Sequence, residues 1–145
     1  EINPEAEIEA RKEMVNGEWL MVNGLEGDDY IIDAIDSVND KTDLIINATR
    51  ARVKIFSSMG AALRFDPTKV TTGELMDIKG DALAKAVRAR MKKLNVHPYK
   101  KVRCVYSSEQ AQRCETRGSL MQVTAVFGLT LASLVITDIT NQAKL

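Results

Sequence analysis

The 145-residue sequence predicts an α/β domain, a βαβ unit carried on a mixed sheet, from three observations. Two short apolar runs, Tyr30–Ile35 and Val53–Ser57, enclose a stretch, Asp40–Arg52, whose apolar residues Leu44, Ile45, Ala48 and Ala51 fall at helical spacing. Strand, helix and strand in so few residues make the βαβ unit of a parallel sheet. A second helical stretch, Asp81 to Leu94, leads into another strand candidate, Val102–Tyr106. The composition, 45% hydrophobic and 28% charged, excludes a disordered or low-complexity chain. The length fits one domain with a real core, taken over residues 1–145.

Each element has its own signal. Glu5–Ala10 alternates polar and apolar residues, the pattern of a strand with one wet face. Gly17–Val22 reads as a short helix ended by Asn23-Gly24. Tyr30–Ile35 is apolar enough for a strand covered on both faces. Gly60–Phe65 and Lys69–Leu75 read as two strands joined at Asp66-Pro67, where proline presets a turn. Asp81 caps the helix that follows, with Leu83, Ala84, Val87 and Met91 on one face. Ser119–Thr137 contains no charged residue. Its length approaches a membrane span. Ser119, Gln122, Thr124, Gly128, Thr130, Ser133 and Thr137 dilute it, and no Trp or Tyr belt flanks it. It is therefore read as a core helix, or one buried in a subunit interface. No basic-then-apolar leader opens the sequence, so a soluble, cytoplasmic domain is expected.

Charge is balanced overall but segregated along the chain. Residues 1–43 hold thirteen acids against Arg11, Lys12 and Lys41, whereas residues 44–108 hold fourteen bases against Asp66, Glu74, Asp77 and Asp81. From Lys85 through Arg88, Arg90, Lys92, Lys93, Lys100 and Lys101 to Arg103 no acid interrupts the bases. Such a run is either the footprint of a polyanion or a solvated helix face with a basic loop.

In parallel sheets, ligands bind beyond the carboxyl ends of the strands. Asp36 stands just past Tyr30–Ile35, followed by Ser37 and then Lys41, and Ser57-Ser58-Met59-Gly60 closes the next strand. A carboxylate at such an edge can hold a divalent cation, which prefers oxygen ligands. It can equally cap the helix that follows, and spacing alone leaves both roles open. His97, beside Pro98, reads as surface. Cys104 lies in an apolar strand as inert filler, and Cys114, in a polar loop, is the more reactive-looking thiol. The six methionines read as packing.

Several stretches together resemble a known family. Tyr30-Ile31-Ile32-Asp33-Ala34-Ile35-Asp36-Ser37-Val38, with Lys41 after it, is similar to the metal and nucleotide aspartate motif of the ubiquitin-activating-type (ThiF/MoeB-like) adenylating family. Ser58–Thr68 resembles the following strand and crossover, and Ile2-Asn3-Pro4 the segment before them. Asp81–Arg88, Cys104–Glu109 and Val123–Gly128 resemble, within that family, the tRNA threonylcarbamoyladenosine dehydratase branch. The resemblance implies the C-terminal part of a Rossmann-like adenylation domain. The glycine-rich ATP-binding half is expected upstream or on a separate chain, because none of the eight glycines falls in a G-x-G-x-x-G pattern. The stretch 108–118 is also shorter than the family shows.

The implied chemistry is ATP-dependent activation of a carboxylate on adenosine 37 of tRNA, followed by ring closure with net loss of water. Asp36 would hold magnesium, Ser37 and Lys41 would support that edge, and Ser58, Met59 and Gly60 would lie beside the adenylate. Arg88, Lys92 and Lys93 are the candidate tRNA contacts. Alternatives are adenylation of a sulfur-carrier protein ending in Gly-Gly, with a sulfur-transfer partner, or a non-catalytic dimerisation fragment. Two cysteines cannot form the four-cysteine zinc site of the carrier-activating relatives, so no structural zinc is expected. A homodimer is expected through the apolar helix. The chain alone, lacking a backbone phosphate cradle, should bind ATP poorly.

Overall fold

The computed structural model describes residues 3–112, 115 and 118–143. Four helices and four strands follow in the order α1 (Gly17–Asn23), β1 (Tyr30–Asp33), α2 (Val38–Arg50), β2 (Lys54–Ser58), β3 (Val70–Glu74), α3 (Ala82–Leu94), β4 (Arg103–Ser107) and α4 (Met121–Gln142). The sheet order is β1-β2-β4-β3. β1, β2 and β4 are parallel, with Asp33 opposite Ser57 and Ser57 opposite Cys104, while β3 runs antiparallel at the far edge. The carboxyl ends of three strands therefore share one edge of the sheet.

Helix boundaries follow from local chemistry. Ser37 Oγ accepts from the Asp40 amide at the start of α2, and Asp81 Oδ1 accepts from the Ala84 amide, 2.8 Å, at the start of α3. Asn95 ends α3 in the left-handed region, φ 53°, with Lys92 and Lys93 in the last turn, where cations suit the helix dipole.

Strand alternation sorts the core into two layers. Ile55 and Cys104 face α1, α2 and α3, packing with Leu20, Ile45, Ala48, Val87 and Met91. Phe56 and Val105 face the other way, onto Val123, Phe127 and Leu131 of α4. Each fully buried side chain of this kind contributes about 1.5–3 kcal/mol.

Four expectations need correction. Glu5–Ala10 forms no strand and is exposed throughout. Alternation prescribes a face, but a ladder needs a neighbour, and this segment has none among the described residues. Gly60–Phe65 is a loop, not a strand. Leu63 sits at φ 60°, and the Phe65 and Asp66 amides donate to Glu109 Oε2 instead of to a ladder. β1 is not covered on both faces: it is an edge strand, and Ile32 is 53% exposed. Nor is α4 a core helix. It docks through one stripe and leaves Met121, Leu129 and Ile136 at 81%, 70% and 63% exposure, although its length and composition would suffice to cross a membrane.

Candidate functional site

At the carboxyl edge, β1 ends in a buried carboxylate. Asp33 Oδ1 accepts from the Ile35 amide, 2.9 Å, which turns the chain out of the strand. Its Oδ2 receives Lys41 Nζ at 2.6 Å and the Ser57 hydroxyl at 2.5 Å. Lys41 Nζ also donates to the Ser58 carbonyl, 2.9 Å, and to Ser57 Oγ, 3.3 Å. Both charged side chains are completely buried. The network ties the loop after β1 to the loop after β2.

Asp36 rides on this support. It is exposed, its carboxylate accepts no hydrogen bond among the described residues, and Ser37 rather than Asp36 caps α2. The carboxylate is thus free of helix capping. Ser37 is exposed beside it, its hydroxyl engaged with Asp40. Lys41 lies beneath this edge: its ammonium donates to Asp33, Ser57 and the Ser58 carbonyl, so it joins the two loops from within the protein and offers no free ammonium at the rim.

The second loop is equally tied down. The Ser58 side chain is half-buried and its carbonyl accepts from Lys41. Met59 is 3% exposed, and its amide donates to the Val105 carbonyl, 2.8 Å, so it serves packing and sheet pairing. The Gly60 amide donates to Asp81 Oδ2, 3.1 Å, which joins this loop to the start of α3. Asp81 is buried, with the Arg64 guanidinium 4.0 Å away. Arg64 donates to the Gly80 carbonyl, while its Nε and Nη1 have no partner among the described residues.

The three candidate tRNA contacts divide. Lys92 and Lys93 are exposed at the end of α3. Arg88 is half-buried, with Nη1 donating to the Leu75 carbonyl at 2.8 Å, so part of its fork is occupied. His97 is exposed. Cys104 is buried, and desolvation pushes its thiol up to about 12. Cys114 lies outside the described residues. Sequence reasoning placed Ser57 at the second edge but missed its bond to Asp33, and it missed Asp33 and Asp81 as parts of the edge. The available signal was an acid closing an otherwise apolar strand, directly opposite a serine.

Three parallel strands in βαβ connection, with an antiparallel strand at the far edge, define a Rossmann-like α/β class of fold. Comparison with known proteins narrows it. The ThiF family model matches residues 1–145, and the chain belongs to that family. tRNA threonylcarbamoyladenosine dehydratase 2 of Saccharomyces cerevisiae is 40% identical over 100 residues, 66% of this chain and 22% of the relative. The tRNA threonylcarbamoyladenosine dehydratase of Bacillus subtilis is 33% identical over 109 residues, 75% of this chain and 42% of the relative. The crystal structure of the Escherichia coli tRNA N6-threonylcarbamoyladenosine dehydratase in complex with ATP superposes with a TM-score of 0.84 at 30% identity, covering 99% of this chain and 60% of that one. The chain thus spans between 22% and 60% of the length of these relatives.

Proposed function

We propose that the protein carrying this chain is an ATP-dependent tRNA-modifying enzyme that dehydrates threonylcarbamoyladenosine at position 37. The similarity to dehydratases, one of them bound to ATP, supports this reading. The observation that carries it is the exposed Asp36 carboxylate, free of capping, at the rim of the parallel strands.

In the reaction, the modification's carboxylate attacks the α-phosphorus of ATP, forming an acyl-adenylate and releasing pyrophosphate. Attack from within the modification then expels AMP and closes the ring, a net loss of water. A magnesium ion usually takes one or two carboxylates together with phosphate oxygens and water. One free carboxylate suits that pattern: Asp36 would hold the ion, which supplies charge neutralisation at the leaving pyrophosphate. Asp33, Lys41 and Ser57 hold the Asp36 loop and the Ser58–Gly60 loop in register for the adenylate.

The glycine-rich phosphate cradle would lie in a portion beyond this chain. Among the described residues, the outer edge of β1 has no paired strand and Glu5–Ala10 alternates without a partner, and both support a sheet that continues past β1. Alone, the 145-residue chain would be inactive. The reading includes a homodimer, supported by the exposed apolar residues Met121, Leu129 and Ile136 of α4, and a cytoplasmic setting.

The test is to incubate the full-length protein with ATP and tRNA carrying threonylcarbamoyladenosine. The modified nucleoside should lose one water by mass spectrometry as AMP and pyrophosphate appear. Intact nucleoside, with a Gly-Gly carrier protein adenylated instead, would overturn the proposal.

A further inference from the structure

The sheet end opposite Asp36 carries a second feature that the adenylation chemistry does not use. α2 runs from beside Asp36 to Arg50, so its 13 residues set the two ends roughly 20 Å apart. There the loop before β4 folds onto the end of α2, where the Tyr99 amide donates to Thr49 Oγ1 at 3.2 Å. The Arg50 guanidinium lies 5.7 Å from the centre of the Tyr99 ring, which is itself 65% exposed. Thr49, Arg50, Arg52, Tyr99 and Lys100 line an open cleft of about 490 Å³ that contains no carboxylate. Lys101 adjoins it in the neighbouring cleft.

The bases are available. Arg50, Arg52, Lys100 and Lys101 are exposed, and none pairs with a carboxylate among the described residues. Lys54, close by, is by contrast engaged with Asp138. Asn95, which ends α3 just after Lys92 and Lys93, shares a further cleft with Arg50 and Tyr99, so the basic end of α3 continues the same surface. Unneutralised cations drawn from separate segments, around an exposed ring held beside a guanidinium, combine phosphate neutralisation with a stacking platform.

We infer that Arg50, Arg52, Tyr99, Lys100 and Lys101 form a docking surface for the RNA backbone, with Tyr99 stacking on an unpaired base. The inference rests on the tRNA reading and adds where the RNA is gripped. The patch binds phosphates away from the modified nucleotide while the Asp36 edge receives adenosine 37.

The test uses the full-length protein and tRNA carrying threonylcarbamoyladenosine, with dissociation constants measured across a salt series. Each lost phosphate contact lowers the slope of log affinity against log salt by roughly 0.7 to 0.9. Changing Arg50, Arg52, Lys100 and Lys101 together to Gln should therefore lower it by about 3, leaving ATP affinity and the urea midpoint unchanged. Tyr99→Ala should weaken binding roughly tenfold, and Tyr99→Phe, which keeps the ring, should not. If wild-type protein dehydrates the tRNA but the fourfold variant binds it with an unaltered slope, the docking surface is wrong and the function stands. If the fourfold variant keeps its tRNA affinity but loses affinity for polyglutamate, the surface takes an acidic protein and not RNA. If wild-type protein neither binds nor modifies tRNA, both proposals fall.

Discussion

Lys41 Nζ lies 2.6 Å from Asp33 Oδ2, where neither side chain reaches solvent. Burying two charges costs several kcal/mol per ion, and here the mutual attraction is supplemented by Ser57 and the Ser58 carbonyl. Removing one partner strands the other. Lys41→Met should destabilise by about 3–5 kcal/mol, whereas Lys41→Met combined with Asp33→Leu should cost less than either single change. Urea unfolding of the four proteins checks this. Strictly additive losses would show that the two side chains do not act as a pair.

Asp36→Asn should separate chemistry from folding. The side chain is exposed and bonds to nothing described, so stability should stay within about 0.5 kcal/mol of wild type. In the full-length protein the same change should abolish tRNA-dependent ATP–pyrophosphate exchange. Exchange near the wild-type rate would remove Asp36 from the mechanism.

The helices were legible because their caps and apolar stripes are local. Asp81 caps α3 where the sequence places it, and Leu44, Ile45 and Ala48 face the core as their spacing predicts. Lys41 shows the limit. Its position belongs to the same inward stripe as Ile45 and Ala48, but spacing alone does not show that its ammonium is buried. That partner, Asp33, comes from the preceding strand, so only tertiary folding reveals the pair. Glu5–Ala10 failed for a related reason, since its alternation says nothing about whether a neighbouring strand exists. At the site, sequence located the edge and Asp36 but left its capping role open. Ser37 takes that role. The cleft around Tyr99 depends on contact between α2 and a loop about fifty residues later, which no local pattern encodes.

Cys104 should be chemically silent in the folded protein. Burial against the α2 and α3 layer pushes its thiol up to about 12, and its Sγ sits 3.6 Å from the Val102 carbonyl. Iodoacetamide at pH 8 should leave the Cys104 peptide unmodified until denaturant is added. The thiol's folded value lies above its ordinary 9.0, so its contribution to stability is complete below pH 9.0 and declines as pH rises toward about 12. Rapid alkylation of native protein at pH 8 would contradict this burial.

Asp138 should make the docking of α4 sensitive to acid. Its Oδ2 accepts from Lys54 Nζ at 2.5 Å, from Tyr30 Oη at 2.6 Å and from Gln142 Nε2 at 2.7 Å, joining the last turns of the helix to the starts of β1 and β2. The Lys54 bond, followed by the Tyr30 bond, holds the carboxyl below its ordinary 3.8. An unfolded chain takes up this proton near 3.8, while the folded protein resists it to lower pH. The contribution is therefore present above that value and disappears as pH falls through the folded one. The pair is partly exposed, so Asp138→Asn should cost no more than about 1 kcal/mol at pH 7. The difference in urea midpoint between wild type and Asp138→Asn should narrow between pH 5 and pH 3 and should shrink with added salt, which screens exposed charges. A gap that stayed constant over that range would mean that the carboxylate's charge contributes nothing, and that Val123, Phe127 and Leu131 alone seat the helix.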